Sequence, residues 1–87
     1  MARIFSINFY HEGITETAMV TVRQDSVVTE YEINIPNTDI ANQLPVNVMV
    51  SNNRHKVYFL NAREDEYTDL MRQLVKAVHE HLQSLAV

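Results

Sequence analysis

The sequence predicts an α+β fold, an antiparallel sheet of about five strands in the order β-β-β-loop-β-β followed by one long C-terminal helix packed on one face. Apolar residues recur with period two over residues 3–60, and then with a period of about 3.6 over residues 63–86. The 87 residues form one domain, 1–87, and their 46% hydrophobic and 21% charged content is that of an ordinary globular protein.

Three strands are expected over residues 3–10, 14–23 and 26–35, and two more over residues 46–50 and 55–60. In these segments apolar side chains alternate with polar ones, which is typical of an antiparallel sheet with one buried side and one side in water. The side chains expected on the buried side are Phe5, Ile7, Phe9, Ala18, Val20, Val22, Val27, Tyr31, Ile33, Ile35, Val46, Val48, Val50, Val57 and Phe59.

Hairpin loops with an even number of residues keep the apolar rows of neighbouring strands on the same side of the sheet. The sequence predicts such loops at residues 10–13, 24–25 and 53–54, with the only glycine, Gly13, at a positive φ. Met49 is then expected on the solvent side. The expected cross-strand partners are Phe9 with Ile14, Val22 with Val27, Val20 with Thr29, Ala18 with Tyr31, Val48 with Phe59, and Val50 with Val57.

The connection between the third and fourth strands is expected to be irregular, with one helical turn. Asn37 or Thr38 can cap this turn, and Pro45 would end it. The apolar side chains expected to point inward from the connection are Ile40 and Leu44.

The last segment, residues 63–86, is predicted to be a long amphipathic helix capped by Asn61. Acidic residues cluster at its start, where the helix dipole favours negative charge, and these are Glu64, Asp65, Glu66 and Asp69. The stripe expected on the sheet comprises Leu70, Leu74, Val78 and Leu82, flanked by Tyr67, Met71, Val75 and Leu85. The side expected in water comprises Arg72, Lys76, Glu80 and Gln83.

The composition excludes several kinds of chemistry. Without cysteine the chain has no disulfide, no thiolate nucleophile and no cysteine-ligated metal. A single glycine is too few for a phosphate-binding loop or a nucleophile elbow, since each needs at least two. The sequence therefore assigns no catalytic, cofactor-binding or metal-binding residue, and no motif identifies a family.

The four histidines are His11, His55, His79 and His81. His79 and His81 are two residues apart, which places them on nearly opposite sides of a helix, so they cannot share a metal ion within one chain. We interpret His81 as packed near the apolar stripe and His79 as exposed. His11 is expected at a hairpin tip, and His55 beside a turn.

The carboxylates offer one spacing of interest. Glu30 and Glu32 project from the same face of the third strand, about 7 Å apart, a distance at which two carboxylates can hydrolyse glycosides. An open sheet face supplies neither a pocket nor a raised pKa, so a surface pair is favoured. Asp69 and Arg72 are expected to form an ordinary ion pair on the helix surface.

The net charge of −4 argues against non-specific nucleic-acid binding, which needs clustered lysine and arginine. Such binding would require Arg3, Arg23, Arg54 and Lys56 to converge on one surface. The chain has no run of about 18 apolar residues, and its first residues lack the apolar core of a signal peptide. We therefore expect no membrane association and a cytoplasmic location.

The size of the sheet raises the question of what covers its apolar face. A five-stranded sheet is about 20 to 24 Å wide, whereas one helix is about 10 to 12 Å across. Unless the sheet curls strongly, the helix covers about half of that face, so the rest is expected to be covered by the segment 36–45 or by a homodimer. The favoured function is a small non-catalytic protein-interaction or assembly domain. The alternatives are a small enzyme or ligand-binding domain with a pocket between helix and sheet, and, less favoured, a nucleic-acid-binding protein.

Overall fold

The computed structural model describes residues 3–24, 28–53 and 56–85. Five strands form one sheet in the spatial order β1-β2-β3-β4-β5, and every neighbouring pair is antiparallel. The predicted α+β fold with one C-terminal helix packed on the sheet is confirmed. The elements are β1 (Arg3–His11), β2 (Ile14–Gln24), β3 (Thr29–Asn34), α1 (Thr38–Ala41), β4 (Val48–Asn53), β5 (Lys56–Phe59), a 3₁₀ turn (Glu64–Glu66) and α2 (Asp69–Leu85).

The sheet curls around α2, so that the helix packs against both edge strands, β1 and β5. Ala18 and Val20, in the centre of the inner face, are fully buried by this arrangement, and Phe9 and Phe59 on the two edge strands are almost fully buried. A strongly curled sheet is the exception that the sequence analysis allowed, and because it is present the single chain covers the inner face itself. The homodimer stays a prediction, but it needs a different surface.

The first hairpin has a two-residue turn, Glu12-Gly13, in which both residues have positive φ, 52° and 80°. The positive φ of Gly13 is confirmed, whereas the predicted four-residue loop at 10–13 is wrong. His11 faces Ile14, and Phe9 faces Glu16 instead of Ile14. Two consecutive positive φ angles match the right-handed twist of the strands, which favours this turn over a longer loop.

The second hairpin keeps the predicted face of each strand but has a different register. Val20 faces Ile33 and Val22 faces Tyr31, so the predicted partnership of Val20 with Thr29 is wrong. The loop is longer than the two residues expected, and Asp25 and Val27 lie outside the described residues. An even shift preserves the side of every residue, and here it replaces a mixed Val–Thr pair by an apolar one.

The fourth strand presents the opposite face from the one predicted. Met49 is fully buried in the core and faces Phe59, whereas Val48 is half-buried on the outer side. Val50 is buried, as predicted, but it lies outside the core cluster and faces Tyr58. The run of three apolar residues from 48 to 50 allows either alternation, and an irregularity between Val50 and Asn53 resets the register. Asn53 faces Lys56, so the expected loop at 53–54 is wrong; residues 54 and 55 lie outside the described part of the chain.

The connection between β3 and β4 agrees with expectation. Asn37 Oδ1 accepts a hydrogen bond from the Asp39 N–H at 3.1 Å and caps α1. Ile40 is buried, and Leu44 is half-buried against the core. The segment 36–45 therefore covers part of the inner face of the sheet, which is one of the two possibilities that the sequence analysis gives.

The long helix begins later than predicted. Thr68 Oγ1 accepts the N–H of Met71 at 3.3 Å, so α2 is capped by Thr68 and not by Asn61. Asn61 instead has a φ of 60° in the turn that follows β5. The apolar stripe is confirmed, with Leu70, Met71, Leu74 and Val78 buried and Val75 and Leu82 half-buried; the side chain of Leu85 lies outside the described part.

Tyr67 fixes the segment between β5 and α2. Its hydroxyl accepts the N–H of Phe59 at 2.8 Å in a buried position, and the two rings meet edge to face with centroids 5.4 Å apart. This contact holds residues 64–66 as a separate 3₁₀ turn, which explains why the acidic cluster does not start the helix.

Tyr67→Phe should lower the free energy of unfolding by about 1–3 kcal/mol, because it leaves the buried Phe59 N–H without a partner. Urea denaturation followed by circular dichroism measures this loss. Tyr10→Phe is the matched control, since that side chain is 63% exposed and its hydroxyl should matter little. Equal stability of the two variants would contradict the assigned role of Tyr67.

Tyr31 gives the fold a dependence on alkaline pH. Burial raises the pKa of its hydroxyl above the ordinary value of 10.0, and the nearby Arg3 guanidinium partly opposes the rise. The unfolded chain therefore releases this proton at a lower pH than the folded chain does, so stability falls as the pH rises above about 10. In Tyr31→Phe the free energy of unfolding should fall less steeply with pH, as measured by urea denaturation between about pH 8 and about pH 11. An unchanged slope would show that burial of this hydroxyl does not control the alkaline limb.

Candidate functional site

The outer edge of β1 is the most distinctive feature of the surface. Of the strands in the described part of the chain, β2 alone is bonded to β1, over nine consecutive residue pairs without a bulge. Its sequence, RIFSINFYH, contains no proline and no lysine, and its only formal charge at neutral pH is Arg3 at one end. Natural sheets protect long edge strands with prolines, lysines or bulges, because an open edge is a template for another strand. β1 has none of these three protections.

The backbone groups at this edge belong to the outward-facing residues. In a hairpin with a two-residue turn, the residues next to the turn, here His11 and Ile14, exchange both hydrogen bonds, and hydrogen-bonded pairs then alternate along the ladder. The odd-numbered residues of β1 therefore bond to β2. The residues whose N–H and C=O groups point away from β2 are Ile4, Ser6, Asn8 and Tyr10.

A groove runs beside this edge, between β1 and the flank of α2. Near the hairpin turn the groove has a volume of about 330 Å³ and is lined by residues 10–13, at the end of β1 and in the turn, together with Asp69 and Gln73. Farther from the turn the groove is smaller, with a volume of about 160 Å³, and there Lys76 and Glu80 of α2 face β1. The groove thus offers a strand edge on one side and polar helix side chains of both charges on the other.

The far end of the groove is marked by a ring stack. The rings of Phe5 and His81 are nearly parallel, with an interplanar angle of 5° and centroids 4.0 Å apart. His81 therefore packs near the apolar stripe, as the sequence predicted, and it covers one side of Phe5. This contact fixes the position along β1 at which the C-terminal part of α2 packs.

The opposite edge of the sheet is protected. β5 has only four residues, and the N–H of Phe59, which would otherwise face outward, donates to the Tyr67 hydroxyl at 2.8 Å. Lys56 at its start forms an ion pair with Glu64, with Nζ and Oε1 3.1 Å apart. The two edges therefore differ in length and in covering, and β1 is the more open of the two.

Exposed apolar side chains accompany the β1 edge. Ile4 is 64% exposed and Tyr10 is 63% exposed, and both lie on the outer side of the sheet at the two ends of β1. Met19, which lies on the neighbouring strand opposite Ser6, is also exposed. Ile14, beside the turn, is exposed as well, so four of the five exposed large apolar residues that the structure describes lie on β1 or β2, and the fifth, Leu60, directly follows β5.

The histidines do not form a common site. His79 is half-buried, not exposed as expected, and it lines a second, open cleft of about 340 Å³ between β5 and α2 with Glu64 and Arg72. His11 Nε2 is buried, without a hydrogen-bond partner among the described residues, 3.9 Å from Glu12 Oε1. Within the described ranges no three His, Asp or Glu residues are placed to hold a metal ion, and His55 lies outside them.

The carboxylates considered from the sequence are surface groups. Glu30 and Glu32 are half-buried on the outer face, and Glu32 Oε2 lies 3.8 Å from Arg23 Nη1. The expected pair of Asp69 with Arg72 is present, with Oδ1 and Nη1 3.7 Å apart. Neither of the glutamates lines the clefts described above.

The basic residues are distributed over the molecule. Arg3 lies on β1 and Lys56 on β5, the two opposite edges of the sheet. Arg23 and Lys56 are each paired with a glutamate, and Arg54 lies outside the described residues. The convergence that nucleic-acid binding would require is therefore not seen among the three that are described.

Comparison of the chain with protein-family models, with curated proteins and with solved structures finds no match. Among the helices in the described ranges, none combines the length and the apolar character needed to cross a membrane.

The sequence did not single out the edge residues Ile4, Ser6, Asn8 and Tyr10. Their role depends on which strands lie at the edges, and the alternation of apolar residues carries no information on strand order. The signal that could have found them is the short spacing of the first three strands, because consecutive hairpins place the first strand at the margin of a meander.

Proposed function

We propose that this chain is a non-catalytic protein-interaction domain that binds an extended protein segment as an added strand along β1. The observation that carries the proposal is the length and openness of this edge, nine residues in unbroken register with the backbone groups of four of them directed outward. Strand addition of this kind gains affinity from main-chain hydrogen bonds and specificity from alternate side chains.

The groove supplies the second contact. A strand added to β1 would place every other side chain on the inner side, next to the flank of α2. There Gln73, Lys76 and Glu80 offer hydrogen bonds and charges of both signs. The backbone of β1 would bond to any extended segment, and the side chains on the flank of α2 would determine which of these segments bind best.

The cleft between β5 and α2 supports the enzyme alternative less well. It is open to solvent, and two of its three charged groups are already engaged, Glu64 with Lys56 and Arg72 with Asp69. The third, Lys76, also lines the groove beside β1. A catalytic carboxylate or histidine needs an enclosed polar pocket that shifts its proton affinity, and an open cleft with paired charges supplies little of that effect.

Asn8→Pro tests the proposal directly. Its N–H points away from β2, so proline removes an edge donor and places its ring in the path of an added strand without breaking the β1–β2 ladder. Peptides of about ten residues selected from a random display library on the native chain should bind Asn8→Pro about tenfold more weakly or worse. Isothermal titration at low protein concentration measures the change.

Asn8→Ala is the matched control. It keeps the backbone N–H and, like the proline variant, removes the side-chain bond from Thr17 Oγ1 to Asn8 Oδ1. It should bind the same peptides within about twofold of the native chain. If Asn8→Pro binds as well as Asn8→Ala, or if the peptides shift the amide resonances of β5 and not those of β1, the proposal is wrong.

A further inference from the structure

We infer that the strand added at this edge is β1 of a second copy of the chain, antiparallel, with the two-fold axis at Ile7. The inference rests on the proposed function, because it names the occupant of the same edge. The resulting dimer would join two curled sheets into one continuous sheet of ten strands, twice the five strands of a single chain.

The order of side chains along the edge carries the inference. The four residues with outward backbone groups read apolar, polar, polar, apolar, from Ile4 through Ser6 and Asn8 to Tyr10. Antiparallel pairing about Ile7 places Ile4 opposite the partner's Tyr10 and Ser6 opposite the partner's Asn8. Each such pair exchanges two hydrogen bonds, and each matches an apolar side chain with an apolar one or a polar one with a polar one.

Neighbouring registers lose this match. An axis at Ser6 would place Ile4 opposite the partner's Asn8, and an axis at Asn8 would place Ser6 opposite the partner's Tyr10. Each of them sets an exposed apolar side chain against a polar one and leaves one end of the edge unpaired. The axis at Ile7 uses all four outward residues, and it covers Ile4 and Tyr10, which are 64% and 63% exposed in the single chain.

The inner side of the edge is compatible with the same axis. Ile7 would meet the partner's Ile7 on the axis, and half-buried Phe5 would meet the partner's Phe9. The two copies of α2 would then lie antiparallel on the same side of the joined sheet. The exposed Lys76 and Glu80 line the groove on the flank of α2, so Lys76 of one chain would face Glu80 of the other across the axis.

The contrast between the two edges explains why association would stop at two chains. Once β1 is paired with a second β1, the margins of the joined sheet are two copies of β5. Each of these is four residues long and has its Phe59 N–H bonded to the Tyr67 hydroxyl. A self-complementary edge paired about a two-fold axis closes the assembly, whereas two open edges would permit a filament.

Engineered cysteines test the register, because the native chain has no cysteine. In the proposed dimer Ser6 lies opposite the partner's Asn8, with Cα atoms about 5.5 Å apart, within the range of a disulfide. Ser6 is two residues out of register with the partner's Ser6, so their Cα atoms lie farther apart than the limit of about 7 Å for a disulfide. Under mild oxidation, S6C mixed with N8C should therefore form a cross-linked heterodimer at least tenfold faster than either variant forms a homodimer.

T17C mixed with S6C is the matched control, since Thr17 is exposed on the same outer face but on β2, away from the edge. It should not cross-link. Equal cross-linking of S6C with itself and with N8C would overturn the assigned axis, and so would cross-linking of T17C at the rate of N8C.

Sedimentation velocity of the native chain tests the dimer itself. At about 100 μM, a concentration far above the Kd of a stable dimer, the mass should be twice that of the 10.1 kDa chain. Asn8→Pro should shift it to a single chain, while Asn8→Ala should remain dimeric. A native chain that sediments as a monomer overturns this inference. If that monomer still binds selected peptides along β1, the proposed function stands, and if it does not, both fail.

Discussion

One helix must cover the apolar face of five strands, and the rest of the structure depends on how this is achieved. A flat sheet of that width would leave about half of the face in water. The sheet instead curls until β1 and β5 both contact α2, and the central residues Ala18, Val20, Leu74 and Val78 become fully buried. The chain therefore completes its core alone, and its interaction surfaces have to be sought at the edges.

Curling around a helix does not close the sheet, so two edges remain, and the chain treats them differently. Tyr67 is placed by the turn after β5 so that its hydroxyl satisfies the Phe59 N–H, while Lys56 and Glu64 pair beside it. Among the residues that the structure describes, no comparable hydrogen bond or ion pair protects β1, and its outward residues between Arg3 and His11 are uncharged. This asymmetry supports the proposal that β1 binds another strand, because a chain under selection against association would be expected to protect both edges.

Much of the fold could be predicted because alternation specifies the side on which a residue lies. It does not specify the partner across the ladder, so the faces of β2 and β3 were right while Val20 was assigned to Thr29 instead of Ile33. Where three apolar residues follow one another, at 48–50, even the side was ambiguous, and the irregularity in β4 decided it. The helix start was misplaced for a similar reason, since the acidic residues at 64–66 suit a helix terminus as well as they suit a 3₁₀ turn.

The side-chain pattern does not predict the candidate site, because the site depends on strand order and on backbone groups. Only the short spacing of the first three strands points to β1 at a margin of the sheet. Once the strand order is known, the alternation of residues along β1 also indicates which backbone groups point away from β2. Among the odd-numbered residues of β1, Ile7 and Phe9 are buried in the core and Phe5 packs against it, and the hairpin geometry directs the backbone groups of the odd-numbered residues to β2. The even-numbered residues carry the outward backbone groups and the exposed side chains. In the proposed complex, stability and association therefore depend on alternate residues of one strand, which allows either property to change without the other.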